Sequence, residues 1–494
     1  MKWTRRNFLK TGAAVIMGCP GCARLRSEPA ETWVNDVHSQ LNRTRVARLA
    51  AVDSVDALRE IVRVAARERQ PVCVAGGRHA MGAQQFATDA VLIDTTRLNR
   101  VLNFNAESGI VEVEAGLQWP ELISTLHARQ ADAARPWGIA QKQTGADRLS
   151  LGGALAANIH GRGLRMKPFG ADVESLVLID AHGNLHTCDR KQNSEWFHLA
   201  IGGYGLFGVV YSLKLRLVPR QKVQRAVEIR NIEELMPAFN GRIRDGFLYG
   251  DFQFSINEKS EDFLRRGVFS CYRPVEPDTP LAVEHQRLTS ENWLNLLHLA
   301  HTDRRRVFEE YSKYYLSSSG QVYWSDTHQL SNYTDDYHKI LDQRLAAKHR
   351  ATEVITEIYV PRERLADFMA EAREDFRRNN VEVIYGTIRL IERDTESFLA
   401  WARQPYACVI FNLHTAHTPD GLQHSADAFR RLIDMAIRRS GSYYLTYHKH
   451  ATREQVLACY PQFPEFLRLK RKYDPEERFQ SDWYRHYRRM FPPS

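Results

Sequence analysis

Ala75–Gly82, read as AGGRHAMG, is the stretch on which the fold of this chain turns. It follows Pro71 and a short apolar run, Val72 to Ala75, which predicts a strand running straight into Gly76 and Gly77. Paired glycines permit a tight turn, and successive amides in such a turn can cradle a pyrophosphate. Arg78 adds positive charge beside it. On residue chemistry alone His79 is open to three readings: a hydrogen-bonding loop residue, a metal ligand or a point of covalent attachment. No cluster with metal-ligand spacing lies near it in the sequence, so no metal is expected there.

Working outward, Ser54 is placed to cap a helix whose apolar residues Leu58, Ile61, Val62 and Ala65 recur at helical spacing. A second strand runs from Val91 to Ile93 and ends at Asp94. Val111 and Val113 alternate with Glu112 and Glu114, as a half-buried strand requires, and Pro120 suits the first turn of a helix from Trp119 toward Ala128. Leu151 to Ala157 is a small-residue segment able to approach another backbone closely. Val173 to Ile179 and Leu185 to Cys188 predict an antiparallel pair, and Val209 to Val218 a further strand that Pro219 ends. Beyond Pro219 aromatics become dense and glycine-rich loops scarce. Strands are expected at 247–256, 353–360, 381–390 and 407–413, and a helix at 362–378. This mixture predicts an α+β class.

The 494 residues are 43% hydrophobic and 26% charged, an ordinary globular balance, and length favours more than one domain. The net charge is +9, but acids are interleaved with the bases and no aromatic-basic recognition motif occurs, which argues against a nucleic-acid partner. Thr4-Arg5-Arg6-Asn7-Phe8-Leu9-Lys10 precedes a short apolar run from Thr11 to Cys22 and resembles a twin-arginine export signal. This implies a periplasmic or otherwise exported protein carried in the folded state, with the twin-arginine machinery as a partner. The run is too short to span a bilayer, and no later stretch is long enough. Ile16 to Cys19 resembles a lipoprotein box, which would place a lipid anchor at Cys19. Cys73, Cys188, Cys271, Cys408 and Cys459 lie at wide, odd spacing and read as core residues, with no disulfide framework.

Gly203, Gly205 and Gly208 satisfy GxGxxG, yet that fingerprint needs a strand before it and a helix after it, and here the order is inverted. Four pieces in sequence carry a different likeness: GGRHAMGAQQF at 76–86, VLIDTTRLNRV at 91–101, TGADRLSLGGALAANIHGRG at 144–163 and IGGYGLFGVV at 201–210. They resemble the PCMH-type FAD-binding domain of the vanillyl-alcohol oxidase superfamily. The resemblance implies two α+β subdomains that grip FAD, with an α+β substrate-binding cap. The expected boundaries are an export leader at 1–30, the FAD-binding domain at 34–219, the cap at 220–440 and a carboxy-terminal segment at 441–494 that returns to the flavin site.

It also implies roles. Gly76, Gly77, Arg78, His79 and Ala80 correspond to the pyrophosphate loop, with Gly82 and Gln85 just beyond. Thr144, Gly145, Ala146, Gly152, Gly153 and Asn158 correspond to a second set of FAD contacts, and Gly208 and Val210 to the strand beside the adenine half. In many members a histidine at the place of His79 is bonded to the 8α carbon of the flavin ring. The cysteine that doubly attached members use is absent from 144–163, so one bond is implied.

The implied chemistry is hydride transfer from an alcohol carbon to flavin N5, with some side chain receiving the hydroxyl proton. The substrate expected is a sugar, alditol or lactone. Oxygen as the electron acceptor would make the protein an oxidase, and a quinone or protein acceptor a dehydrogenase. If Tyr443 to His448 is a strand, Tyr444, Thr446 and His448 share a face, which presents His448 as a base with Lys449 beside it. This tail loosely resembles that of alditol and aldonolactone oxidases. Glu357 and Arg389 stand where relatives line the substrate pocket; His414 ranks below them. KRKYDPEERF at 470–479 resembles the family's closing segment, expected to close the pocket and lock the chain. Alternatives are a flavin dehydrogenase of a lipid-linked or phenolic substrate, suggested by the aromatic cap, and a non-catalytic flavin-binding protein.

Overall fold

The computed structural model of the protein describes residues 31–281, 287–331 and 336–492. The segments expected to carry the export signal and the Cys19 anchor lie outside the described residues. Among those described, no helix is long and apolar enough to cross a membrane.

The amino-terminal part is built on two sheets. Three parallel strands stand in the order Arg48–Ala51, Val91–Asp94, Val72–Ala75. The helix Val55–Arg67 connects the two outer strands and so crosses over the central one, as parallel strands require. Ser54 caps this helix by accepting a bond from the Ala57 amide at 3.3 Å. Its stripe of Leu58, Val62 and Ala65 packs on Val72, Val91 and Ile93, all excluded from solvent. Burial of each large aliphatic side chain contributes roughly 1.5–3 kcal/mol.

The second sheet has five antiparallel strands in the order Leu185–Asp189, Val173–Ile179, Val209–Arg216, Ile110–Glu114, Val101–Asn105. Val111 and Val113 point inward, onto the helices Trp119–Arg129 and Leu151–Ala157. The GxGxxG glycines do lie between a helix, Ser194–Ala200, and a strand, Val209–Arg216. That strand stops at Arg216, and Val218–Pro219 pairs separately with Trp137–Gly138.

From Lys222 onward one antiparallel sheet of eight strands dominates. Its order is Val322–Trp324, Lys222–Asn231, Arg266–Pro274, Tyr249–Phe254, Val383–Ile391, Tyr406–Ala416, Ala351–Pro361, Ser442–Tyr443. Successive residues of a strand face opposite ways, and here the two faces differ in chemistry. Val354, Ile358, Ile388, Leu390, Val409, Phe411 and Leu413 lie in one apolar core with Phe368, Met369 and Phe376 of helix Leu365–Arg378 and Phe429, Leu432 and Ile433 of helix Pro419–Ile437. Glu353 and Glu357, Thr387 and Arg389, and Asp251 and Gln253 belong to the other face, which lines a cavity. Cys73, Cys188, Cys271, Cys408 and Cys459 are free and buried.

The segment 470–479 ties the carboxy-terminal part of the chain to the parallel sheet. Asp474 accepts amide hydrogens from Arg478 and Phe479, each at 2.8 Å, and is paired with the buried ammonium of Lys470. The turn so formed lets Val72 donate to Arg478 O at 2.7 Å and accept from Gln480 N at 2.8 Å, which extends the parallel sheet past its Val72 edge. Phe479 enters the core beneath helix Val55–Arg67. None of residues 470–479 lines the cavity, so the segment locks the chain without closing the pocket. Asp474→Ala leaves Lys470 buried and uncompensated and is expected to destabilise the protein by about 3–5 kcal/mol; an unchanged urea midpoint would show that the pair holds nothing in place.

Candidate functional site

A cavity of about 880 Å³ lies between the glycine-rich loops and the polar face of the large sheet. The first wall is the loop Gly76–Ala80, delivered by strand Val72–Ala75. A Cβ on Gly76 would stand 2.0 Å from Ser150 Oγ, and one on Gly77 2.3 Å from Arg148 O. The two loops thus touch backbone to backbone. Arg78 takes a left-handed conformation, φ +59°, and its guanidinium lies 3.2 Å from Asp94. Among the described residues the amides of Gly77, Arg78 and Ala80 meet no protein acceptor.

The second wall is Thr144–Ala146 with the start of helix Leu151–Ala157, capped by Ser150. Gly145 and Gly205 have φ of +91° and +72°, and a Cβ on either would meet nothing within 4 Å. Their backbone requires glycine, and they leave the cavity clear. Thr144 Oγ1 is buried without a partner. Unpaired amides, an unpartnered hydroxyl and two bare glycines facing one space suit the phosphate and ring edges of a dinucleotide. Gly152, Gly153, Gln85, Gly208 and Val210 line the same space.

Two expected contacts lie elsewhere. Asn158 ends helix Leu151–Ala157 in a left-handed conformation, and its side chain is spent on Asp394 and the Gly170 amide. Gly82 lies off the cavity wall, with its amide bonded to Thr446 O at 3.1 Å.

His79 is at the cavity, its Nδ1 2.9 Å from His38 Nε2. Burial, with the His38 imidazole beside it, pushes its pKa down to about 3. The ring is therefore neutral near pH 7, the state in which an imidazole nitrogen retains a lone pair.

The opposite wall carries Glu357 and Arg389. Glu357 Oε1 is 2.5 Å from His160 Nε2, while His160 Nδ1 lies 3.0 Å from Gly161 O. A carbonyl only accepts, so Nδ1 donates to Gly161 O and the ring is set with Nε2 toward Glu357. The pair is buried and stands at the cavity. His160 lies within the segment 144–163 singled out in the sequence, but its partner is 197 positions away. Arg389 Nε is buried without a partner. Tyr447 also lines the wall; burial, with Glu357 nearby, pushes its phenol well above the usual range. Farther along, Arg225 is held by Tyr272 Oη at 2.9 Å and Ser318 Oγ at 2.8 Å, and Arg162 lies 3.5 Å from Asp251. Arg162 comes from the quoted segment 144–163, whereas Arg225 and Asp251 come from separate strands that no local pattern linked to it.

His448 and Lys449 do not line the cavity. Pairing stops at Ser442–Tyr443, so the alternation expected for Tyr443 to His448 does not operate. The carbonyls of Leu445 and Thr446 accept instead from Gln84 Nε2 at 3.0 and 2.8 Å, and Trp483 Nε1 reaches Leu445 O. The turn they hold sends Tyr444, Thr446 and Tyr447 to the cavity. It places His448 behind the sheet, stacked on Phe429 with ring centroids 4.4 Å apart and bonded to Thr356 Oγ1 at 3.2 Å. Burial drives its pKa well below that of a free histidine. Lys449 is likewise depressed by burial, with Asp482 opposing.

Residues 46–189 match a family described as an FAD binding domain. Over 434 residues, 87% of this chain and 92% of the relative, the chain is 25% identical to the L-gulono-1,4-lactone dehydrogenase of Mycobacterium tuberculosis. It is 21% identical to the decaprenylphosphoryl-beta-D-ribose oxidase of Mycolicibacterium smegmatis over 451 residues, 88% of this chain and 93% of that one. With the L-gulonolactone oxidase of Bos taurus it shares 28% identity over 192 residues, 39% of this chain and 42% of the relative. The cavity wall and these likenesses agree: the chain carries a PCMH-type FAD-binding domain of the vanillyl-alcohol oxidase superfamily and is homologous to members of the alditol and aldonolactone oxidase family.

Proposed function

We propose that this protein oxidises an alcohol group of a small hydroxylated molecule, a sugar, alditol or lactone, and that its FAD is bonded through His79. The observation that carries the reading is the continuity of one cavity from the glycine walls, past His79, to Glu357, His160 and Arg389. Bound FAD supplies the acceptor for the hydride that leaves the alcohol carbon. The chain's own part is to take the hydroxyl proton and to hold the substrate. Glu357, oriented by His160, is the group for the first task, since its carboxyl stands at the cavity. Arg389, with an unpaired Nε, is suited to the oxygen that gains negative charge as the proton leaves. Asn412, Asp251 and Gln253 offer hydrogen bonds to further hydroxyls. Two of the relatives are named for lactones of a sugar acid, which fits this class.

A larger lipid-linked or phenolic substrate is the second reading. Leu288, Trp293, Leu294 and Leu297 form an apolar stretch of the wall near Tyr314 and Tyr315, and one relative is named for a decaprenylphosphoryl sugar. The final electron acceptor is oxygen or a quinone or protein. The twin-arginine pattern at Thr4 to Lys10 supports export to the periplasm in the folded state, with a lipid anchor at Cys19 as a further step.

Mixed anaerobically with a panel of polyols and aldonolactones, the protein is expected to lose its yellow flavin absorbance. Bleaching only by phenols or polyprenyl-linked sugars would favour the second reading, and bleaching by dithionite alone would reduce the protein to a flavin binder. Glu357→Gln is expected to lower kcat by about 10²–10⁴-fold at unchanged flavin content; an unaltered kcat would remove Glu357 from proton transfer. After acid precipitation the pellet is expected to stay yellow, with the added FAD mass on the His79 peptide, and His79→Ala to release the colour. A colourless wild-type pellet would refute the bond.

A further inference from the structure

We propose that His301, Glu353 and His414 form a binding site for a divalent transition-metal ion of the Zn²⁺ class at the cap end of the cavity. Glu353 and His414 are cross-strand partners on the polar face of the large sheet, and His301 reaches them from helix Ser290–Thr302. His301 Nε2 lies 3.3 Å and His414 Nδ1 3.6 Å from the same carboxylate oxygen, Glu353 Oε1. All three ligand atoms fall within 4.8 Å of one another.

These separations distinguish a metal site from a hydrogen-bonded cluster. A histidine donating to a carboxylate closes to about 2.7–2.9 Å. Neither nitrogen does so, and both are buried without a hydrogen-bond partner. Four ligands at about 2.0–2.1 Å around a tetrahedral ion stand roughly 3.3–3.4 Å apart, the spacing seen between His301 and Glu353. The second carboxylate oxygen accepts from Tyr337 Oη at 2.6 Å, which orients the group in the way that outer hydrogen bonds orient metal-ligating carboxylates.

Two imidazoles and one carboxylate suit Zn²⁺ or Co²⁺; Ca²⁺ and Mg²⁺ prefer oxygen ligands throughout. Three protein ligands leave a coordination position for water or a substrate oxygen. Because Glu353 and Tyr337 are part of the cavity wall, an ion here would join helix Ser290–Thr302 to the sheet where that wall is made. The site is independent of which alcohol the protein oxidises.

The test uses the folded full-length chain, stripped with chelator, desalted and offered Zn²⁺, Co²⁺ or Ca²⁺ in separate samples. About one Zn²⁺ per chain is expected to survive gel filtration, and Co²⁺ to give the intense visible band of a tetrahedral site. His301→Ala is expected to weaken Zn²⁺ binding at least tenfold, with far-UV circular dichroism unchanged. Should that variant fail to fold, His414→Gln carries the same comparison, since its side chain is 25% exposed. A wild-type chain that retains no Zn²⁺ above the buffer blank, or that prefers Ca²⁺, overturns the proposal. So does a folded variant that binds Zn²⁺ as the wild type does.

Discussion

The structure depends on a contact that tolerates no side chain. Gly76 and Gly77 run against Arg148 and Ser150 so closely that a Cβ on either would overlap its neighbour. This approach brings the two loops to one cavity, and among the described residues the amides of Gly77, Arg78 and Ala80 meet no protein acceptor. Leaving amides unpaired costs free energy unless a ligand satisfies them. A dinucleotide with its phosphates is the kind of ligand that does, which ties the shape of the wall to the cofactor of the family.

A second constraint comes from the alternation of strands. In a sheet covered on one side by helices, every other residue must face the opposite way. In this chain that opposite face carries Glu353, Glu357, Arg389 and Asp251. Charges gathered there would be expensive without partners, and each carboxylate has an answer in the fold: His160 for Glu357, Arg162 for Asp251, Tyr337 with two histidines for Glu353. The apolar face keeps the sheet in place, so the polar face can be specialised without loss of the core.

The closing segment shows how little of this is local. Phe479 fills a core begun by Val55–Arg67, and Trp483 bonds to the turn that holds Thr446 at the cavity. The strands and helix of residues 48–94 therefore share one folded unit with the carboxy-terminal segment, and the loop of His79 is steadied by residues near the carboxy terminus through Gln84 and Gly82.

The α+β class, the crossover helix capped by Ser54, the strands around it and the glycine loop with His79 could all be read from the residues, because periodicity, caps and turns act over a few positions. Resemblance extended this to FAD. His448 was misread for the same reason: alternation holds only while a strand stays paired, and the pairing ends at Tyr443. His160 beside Glu357, and His301 with Glu353 and His414, leave no trace in spacing. Their partners are set by which strands and helices pack together, and that is a property of the whole folded chain, decided by long-range burial and not by neighbours in sequence.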